Sequence, residues 1–458
     1  MKKSKLNICL ALLLVGILFC QSSALAVTAM TANGDTTDKA DTGRVYSHLN
    51  ANSNYTTIRR AGYQSATADV SDFRTADDYT VLYWSSHGGD NGTHASLNVI
   101  NGPEFNATSN AASYWTNSAL KVAIFSSCYT LNAGPRKKWV GIMRNSDVRV
   151  IAGYHEKSAG SPADVSIADA FFKRIKEGKS VRMAWQGAHT NARGIWVLLS
   201  YVGSGREDYK MPGFQSNSSP APTSSTSIYR FSNAYLDGTA QPKSGGNPNV
   251  SELPYAIEVS RSVIPVNLAV FGGGKQYSAA DEITKEIRDS VIEPINPYEV
   301  TAKAKKALSQ LGSIDKLLST AHIKEQRLLM AEVTEEGEGP ESTIGGFVEF
   351  QQTINGIPIH SNSFTIGVDA NGVFEVRNSL KIVNDSSEAK GKSANSYISM
   401  SKATAIAVSA AGNNKRAMKT SYAYADNGTG NYVLNYLVNF DDGREYLVDC
   451  VSGAVREG

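Results

Sequence analysis

The chain is short of three things: a charge excess of either sign, cysteine, and long apolar runs beyond its first residues. Lysine and arginine outnumber aspartate and glutamate by only two among 458 residues, and the one basic run, Arg136-Lys137-Lys138, is short. Tracking a phosphate backbone needs a basic stripe, so nucleic acid is excluded as a partner. After residue 26 no stretch approaches the ~18 apolar residues of a spanning helix, so no membrane span is expected. Four cysteines, Cys9, Cys20, Cys128 and Cys450, are too few and too scattered for a disulfide scaffold. What is present is enough apolar sequence, 41%, to bury cores in a chain with room for about three domains of ~150 residues.

The amino terminus reads as a secretory signal over residues 1–26. Lys2, Lys3 and Lys5 precede an apolar run from Ile8 to Cys20, and Ala24-Leu25-Ala26 supplies a small-residue cleavage site. That run is too short to cross a hydrocarbon core of about 30 Å. Bulky Leu18 and Phe19 precede Cys20, unlike the small residues of a bacterial lipobox, which disfavours a lipid anchor. Cleavage after Ala26 removes the three lysines and two cysteines, leaving Cys128 and Cys450 in an exported chain. A single bridge between those two stays open. The expected location is secreted or extracellular, with association to the cell surface open.

Residues 27–43 are small, polar and without period, which predicts a flexible leader and folding from Arg44 onward. From Asp78 to about Val202 short apolar strands alternate with amphipathic helices, the pattern of an α/β domain with a mostly parallel sheet covered on both faces. Strands are predicted at 79–84, 120–125, 148–152 and 195–201. One helix follows Ser161-Pro162-Ala163-Asp164, aligns Ala168, Phe171, Phe172 and Ile175, and ends at Gly178; a second aligns Val181, Ala184, Trp185 and Ala188. These aromatic stripes read as core. Linker composition at 216–226 and 241–250 places the preferred boundary in the second, giving an α/β domain over 44–245. The remainder reads as α+β with antiparallel sheets: a helix around Ala304, Leu308 and Leu311, strands at 347–354, 363–368 and 373–377, an Asp369-Ala370-Asn371-Gly372 turn, a helix over 401–412, and strands at 432–440 and 446–450.

Two segments share one design. Tyr79-Thr-Val-Leu-Tyr-Trp-Ser-Ser-His87-Gly88-Gly89 and Leu120-Lys-Val-Ala-Ile-Phe-Ser-Ser-Cys128 each run from an apolar strand through two serines to a reactive side chain. The carboxyl ends of parallel strands form the rim where ligands bind, and strands are about 4.8 Å apart, so adjacent strands make His87 and Cys128 neighbours. An imidazole beside a thiol raises the thiolate population and shuttles a proton to a leaving amine, the chemistry of nucleophilic acyl transfer. Glycines after His87 let backbone N–H groups approach an oxyanion, with the amides of Gly88 and Cys128 as natural donors. Taken singly, each residue also fits a structural role, His87 as a satisfied strand-end histidine and Cys128 as a small buried hydrophobe.

The order strand-His-Gly, then strand-Ser-Ser-Cys, resembles the caspase-like cysteine peptidases, the superfamily of caspases, gingipains, legumain and clostripain. Residues Ile167 to Ala188 are similar to the helix pair that follows the catalytic strands in bacterial members, so the resemblance covers about 44–210. It implies a caspase-like sheet, His87 as general base or acid, Cys128 as nucleophile, Gly88 and Cys128 as oxyanion donors, and a peptide or protein substrate. The chain departs from true caspases in carrying Ser-Ser-Cys-Tyr-Thr where they have Gln-Ala-Cys-Arg-Gly, and no specificity residue carries over.

No cofactor and no metal is expected. His87-Gly-Gly-Asp90-Asn-Gly-Thr-His94 groups three candidate ligands without metal spacing, and His155-Glu156-Lys157-Ser158-Ala159 lacks the second histidine of a metallopeptidase helix. His48, His189, His322 and His360 stand alone in sequence. Gly272-Gly273-Gly274-Lys275 is followed by Gln276, not the Ser or Thr of a phosphate loop, and reads as a turn. In the second half, Gly345 to Ile359 resembles the propeptide domain of thermolysin and fungalysin precursors, extending the likeness over 255–385. Ile398 to Val455 resembles a PepSY domain over 395–458, with Cys450 as a packing residue. Such modules chaperone or inhibit peptidases, which makes a peptidase the module's implied partner. Two functions follow: a secreted caspase-like peptidase with a regulatory carboxy-terminal module, or a non-catalytic extracellular binding protein whose second half restrains peptidases in trans.

Overall fold

A computed structural model describes residues 27–34, 39–63, 68–99, 104–117, 119–159, 163–189, 196–201, 209–215, 226–235, 255–271, 274–279, 282–312, 314, 318, 322–333, 341–384, 396–412, 415–427, 431–440 and 444–458. They form two units that divide at Ile228/Tyr229. The signal segment and most of both linkers lie outside the described residues.

The first unit is α/β. Its sheet strands are β1 (Val27–Asn33), β2 (Tyr55–Ala61), β3 (Val81–Ser85), β7 (Val122–Ser126), β8 (Val150–Tyr154) and β9 (Trp196–Tyr201); a small antiparallel sheet joins β4 (Gly88–Asp90), β5 (Ala95–Leu97) and β6 (Phe105–Asn106). The main sheet has the order β2-β1-β3-β7-β8-β9, every neighbour parallel except β8 and β9. The mostly parallel sheet is therefore as expected. Helices α1 (Lys39–Asn50), α2 (Val70–Arg74), α3 (Ala107–Tyr114), α4 (Ala133–Asn145), α5 (Ala163–Lys176) and α6 (Val181–Ala188) cover it. Alternation along the strands sends Met30, Ala32, Leu82, Trp84, Ala123 and Phe125 into one core with Phe73, Trp115 and Trp139. Phe73 meets Trp84 edge-on at 5.3 Å, and Phe125 lies 5.1 Å from Trp139. On α5 and α6, Phe171, Phe172, Ile175, Ala184 and Trp185 are buried as their spacing predicts, and Gly178 ends α5 in the left-handed region at φ +92°.

Two boundaries need correction. Residues 27–43 are not a leader: Val27–Asn33 is a central strand between β2 and β3, and α1 begins at Lys39. Ala29, Met30 and Ala32 are fully buried. A strand covered on both faces shows no alternation, and small residues suit the close approach of a helix, which is why the segment looks featureless. The α/β domain also stops before residue 245. Strand β10 (Ile228–Tyr235) pairs antiparallel with β14 (His322–Val333), Tyr229 opposite Val333, and so belongs to the second unit.

The second unit adds β11 (Ala256–Val263), β12 (Lys275–Ala279), β13 (Glu282–Glu286), β15 (Ser342–Ile354), β16 (Ile357–Asp369), β17 (Gly372–Asn378), β18 (Lys381–Asn384), β19 (Ala417–Asp426), β20 (Asn431–Phe440), β21 (Glu445–Asp449) and β22 (Val455–Glu457). An antiparallel sheet runs β10-β14-β15-β16-β17-β13-β12. Helix α7 (Pro297–Ser309), capped by Asn296, lays Val300, Ala304, Ala307 and Leu308 onto it. A second sheet centres on β20, flanked by β19, β21 and β11, with α8 (Met400–Ala411) over it. The second unit thus contains two hydrophobic cores. The division at 385–395 does not hold cleanly, because β11 and the start of β16, through Ile357 and Ile359, feed the second core.

The turn between β16 and β17 shows how a buried charge organises the first of these sheets. Asp369 is fully buried, paired bidentately with Arg288, and accepts the amides of Val291 at 2.8 Å and Asn371 at 2.9 Å. Removing the guanidinium strands that carboxylate, so Arg288→Ala is expected to cost about 3–5 kcal/mol. A urea titration followed by circular dichroism checks it; an unchanged midpoint contradicts the assignment.

Candidate functional site

Strands β3 and β7 pair in register from Val81 opposite Val122 to Ser85 opposite Ser126. Two further residues bring one chain to His87 and the other to Cys128, at equivalent positions on one rim. The intervening serines keep the chains together: Ser86 donates its N–H to Ser127 Oγ at 3.2 Å, and the two hydroxyls lie 3.3 Å apart. The Ser86 hydroxyl also donates to the His87 carbonyl at 2.8 Å and receives the Trp84 indole N–H at 3.2 Å. The two residues singled out in the sequence thus follow the paired ends of neighbouring strands, His87 exposed and Cys128 half-buried.

Past the rim the chains diverge into loops that remain stitched. The His87 carbonyl accepts the Asn98 amide at 3.0 Å as its chain enters the β4-β5 hairpin. Gly88 lies so close to the other loop that a β-carbon there would sit 2.5 Å from the Cys128 carbonyl oxygen and 3.1 Å from its nitrogen. The residues expected as oxyanion donors are thus in direct backbone contact, and glycine at 88 is demanded by that approach. Asn132 caps α4 by accepting the Ala133 amide at 2.7 Å and donates to Asp90 at 2.6 Å, tying one loop to the other.

Cys128 opens a tight turn in which Tyr129 adopts φ +57°, a left-handed conformation that costs a non-glycine residue about 1–2 kcal/mol. Four bonds hold it. Trp139 donates its indole N–H to the Thr130 carbonyl at 2.8 Å, and Thr130 donates to the Ser127 carbonyl at 3.2 Å. The Tyr129 and Leu131 amides donate to the carbonyls of Glu156 at 2.8 Å and Tyr154 at 2.9 Å. Strained backbone kept in place by its surroundings is concentrated at functional sites.

The sequence reasoning missed the third element of the rim. Strand β8 pairs with β7, and its following loop reaches the sulfur: Ser158 donates its amide to Cys128 Sγ at 3.3 Å, with its Oγ 3.4 Å away. Its signal is topological, not local: 150–154 is the next parallel strand, so its carboxyl end shares the rim. Within the loop itself the sequence offers only an incomplete metal motif, His155-Glu156.

Beneath the rim lie buried polar groups with assigned partners. His189 must donate Nδ1–H to the Trp185 carbonyl at 2.7 Å, so a neutral ring accepts the Tyr154 hydroxyl at Nε2, 2.8 Å away. Burial holds the Tyr154 hydroxyl well above its ordinary range, and Asp164, Asp41 and Cys128 push in the same direction. Burial, then Asp41, does the same to Tyr83, which donates to Asp41 at 2.8 Å. These tyrosines stay protonated and act as donors. Among the described residues no group of three or more His, Cys, Asp or Glu side chains is placed to hold a metal. Asp90 receives Asn132, while His94 Nδ1 lies 3.2 Å from Thr108 Oγ1. Histidines that stand alone in sequence have partners in space: His48 lies 2.7 Å from Asp169, and His360 3.4 Å from Glu445.

Both thiols are free, so no bridge joins them. Cys450 is fully buried in the second core, and burial, reinforced by Asp449, pushes its thiol far above the ordinary range. Iodoacetamide at about pH 8 is therefore expected to modify Cys128 and spare Cys450 in the folded protein, read by peptide mapping; equal modification contradicts it. Gly88→Ala is expected to cost about 1–3 kcal/mol by overpacking, measured by thermal unfolding. Unaltered stability would mean that the two loops do not meet there.

No family model and no curated protein matches the chain. Among solved structures, the C-terminal domain of Bacillus megaterium YpeB aligns with 58% of this chain and 85% of its own, at 13% identity and a TM-score of 0.24. A likeness that weak does not bear on fold or function.

Proposed function

We propose that the chain is a secreted cysteine peptidase of the caspase-like type. The reading rests on one observation, the register of β3 and β7 that sets His87 and Cys128 at equivalent positions on the rim of a mostly parallel sheet. In the proposed cycle Cys128, as thiolate, adds to a peptide carbonyl carbon, and the amides of Gly88 and Cys128 donate to the oxygen that becomes negative. His87, holding the thiol proton, delivers it to the departing amine. Water then cleaves the thioester with His87 as base, returning the thiol and releasing the acid. The propeptide-like and PepSY-like halves of the second unit serve as a folding or regulatory module, and the leading 26 residues direct export.

An irreversible acyloxymethyl-ketone peptide probe tests this on the full chain. Wild type is expected to be labelled at Cys128, with labelling absent in Cys128→Ala and slowed about 10²- to 10⁴-fold in His87→Ala. Equal labelling of wild type and His87→Ala sinks the dyad. A folded wild type that resists the probe leaves the non-catalytic binding protein as the better account.

A further inference from the structure

The proposed dyad leaves one contact of its sulfur unexplained. Cys128 Sγ receives the Ser158 amide at 3.3 Å, and Ser158 Oγ stands 3.4 Å away on the same sulfur. The loop bearing Ser158 is not placed by chance contact. Its start is the end of β8, paired with β7, and the Glu156 and Tyr154 carbonyls accept the amides of Tyr129 and Leu131 on either side of the turn that follows Cys128. The same backbone bonds that fix the strained turn therefore fix the distance from Ser158 to the thiol.

We infer that Ser158 is a positioning residue for Cys128, its amide and hydroxyl together holding the sulfur and favouring the anionic form. This deepens the peptidase reading and rests on it for its purpose, though not for its test. The amide can only donate, so the sulfur is the acceptor. A thiol sulfur accepts weakly, whereas a thiolate accepts charge-assisted bonds about twice as strong, so two fixed donors discriminate between the two states. Against a thiolate the hydroxyl has no proton to accept and must donate as well. The proton released goes to His87 or to solvent. Half-burial of Cys128 limits competition from water for the same lone pairs.

The ionisable residues on the elements that end at this thiol are His87 after β3, Tyr154 at the end of β8, which interacts with Cys128, and His155, Glu156 and Lys157 in the Ser158 loop, the last two exposed. Ser158 itself does not titrate, so its removal leaves the charges of that set unchanged.

The rate of iodoacetamide alkylation at Cys128, followed by peptide mapping of the full chain across pH, isolates the effect; the thiolate displaces iodide, and no peptide substrate is involved. Ser158→Ala and Ser158→Gly keep the amide and lose the hydroxyl, and both are expected to react about three- to tenfold more slowly than wild type near pH 6, the gap closing as the pH rises to about 10. Ser158→Thr is expected to restore the wild-type profile. Profiles that coincide for wild type, Ser158→Ala and Ser158→Gly overturn the inference, as does a slowing that persists undiminished at high pH, which marks a change of access. Failure of the peptidase reading shows instead as an inert wild type towards the peptide probe and leaves this measurement intact.

Discussion

The parallel register of β3 and β7 is the constraint on which the rest of the first unit depends. Both strands are buried along their whole length, Val81–Ser85 and Val122–Ser126 alike. A slip of either strand by one residue would turn its aromatic, Trp84 or Phe125, out of the core they share with Phe73 and Trp139. The aromatic layer thus fixes the register, and the register decides that the residues two positions past the last paired serines share one rim. The placement of His87 and Cys128 follows from packing some distance below them.

What the rim adds is close stitching of three loops. Gly88 permits backbone contact with Cys128, Asn132 joins the turn to Asp90, and the Ser158 loop closes over the sulfur from β8. Tyr129 is held in the left-handed region by amide bonds to a neighbouring strand end and by the indole of Trp139 behind Thr130. Each of these fixes a side chain or an amide where β3, β7 and β8 end.

Much of this was legible because it is periodic or punctuated. The stripes of α5 and α6, the meander from β15 to β17 with its Asp369-to-Gly372 turn, and the twin strand-Ser-Ser endings all carry local signals, and all are found in place. What escaped had no local signal. β1 is buried on both faces and built of small residues, so neither period nor bulk marks it. β10 takes its identity from a partner about a hundred positions away, and the reversed direction of β9 is set by pairing with β8. Ser158 lies in a loop whose role is defined only by the strand before it and the sulfur it meets.

Equivalent register positions on neighbouring parallel strands point to the same face, within the Cα separation a disulfide requires. The most direct measurement of the central claim is therefore oxidative cross-linking of a variant carrying His87→Cys, mapped by mass spectrometry on the folded chain with Cys450 as the buried control. The account predicts a disulfide between position 87 and Cys128 under mild oxidant. Two free thiols at those positions, in protein that keeps its native circular dichroism, would contradict it.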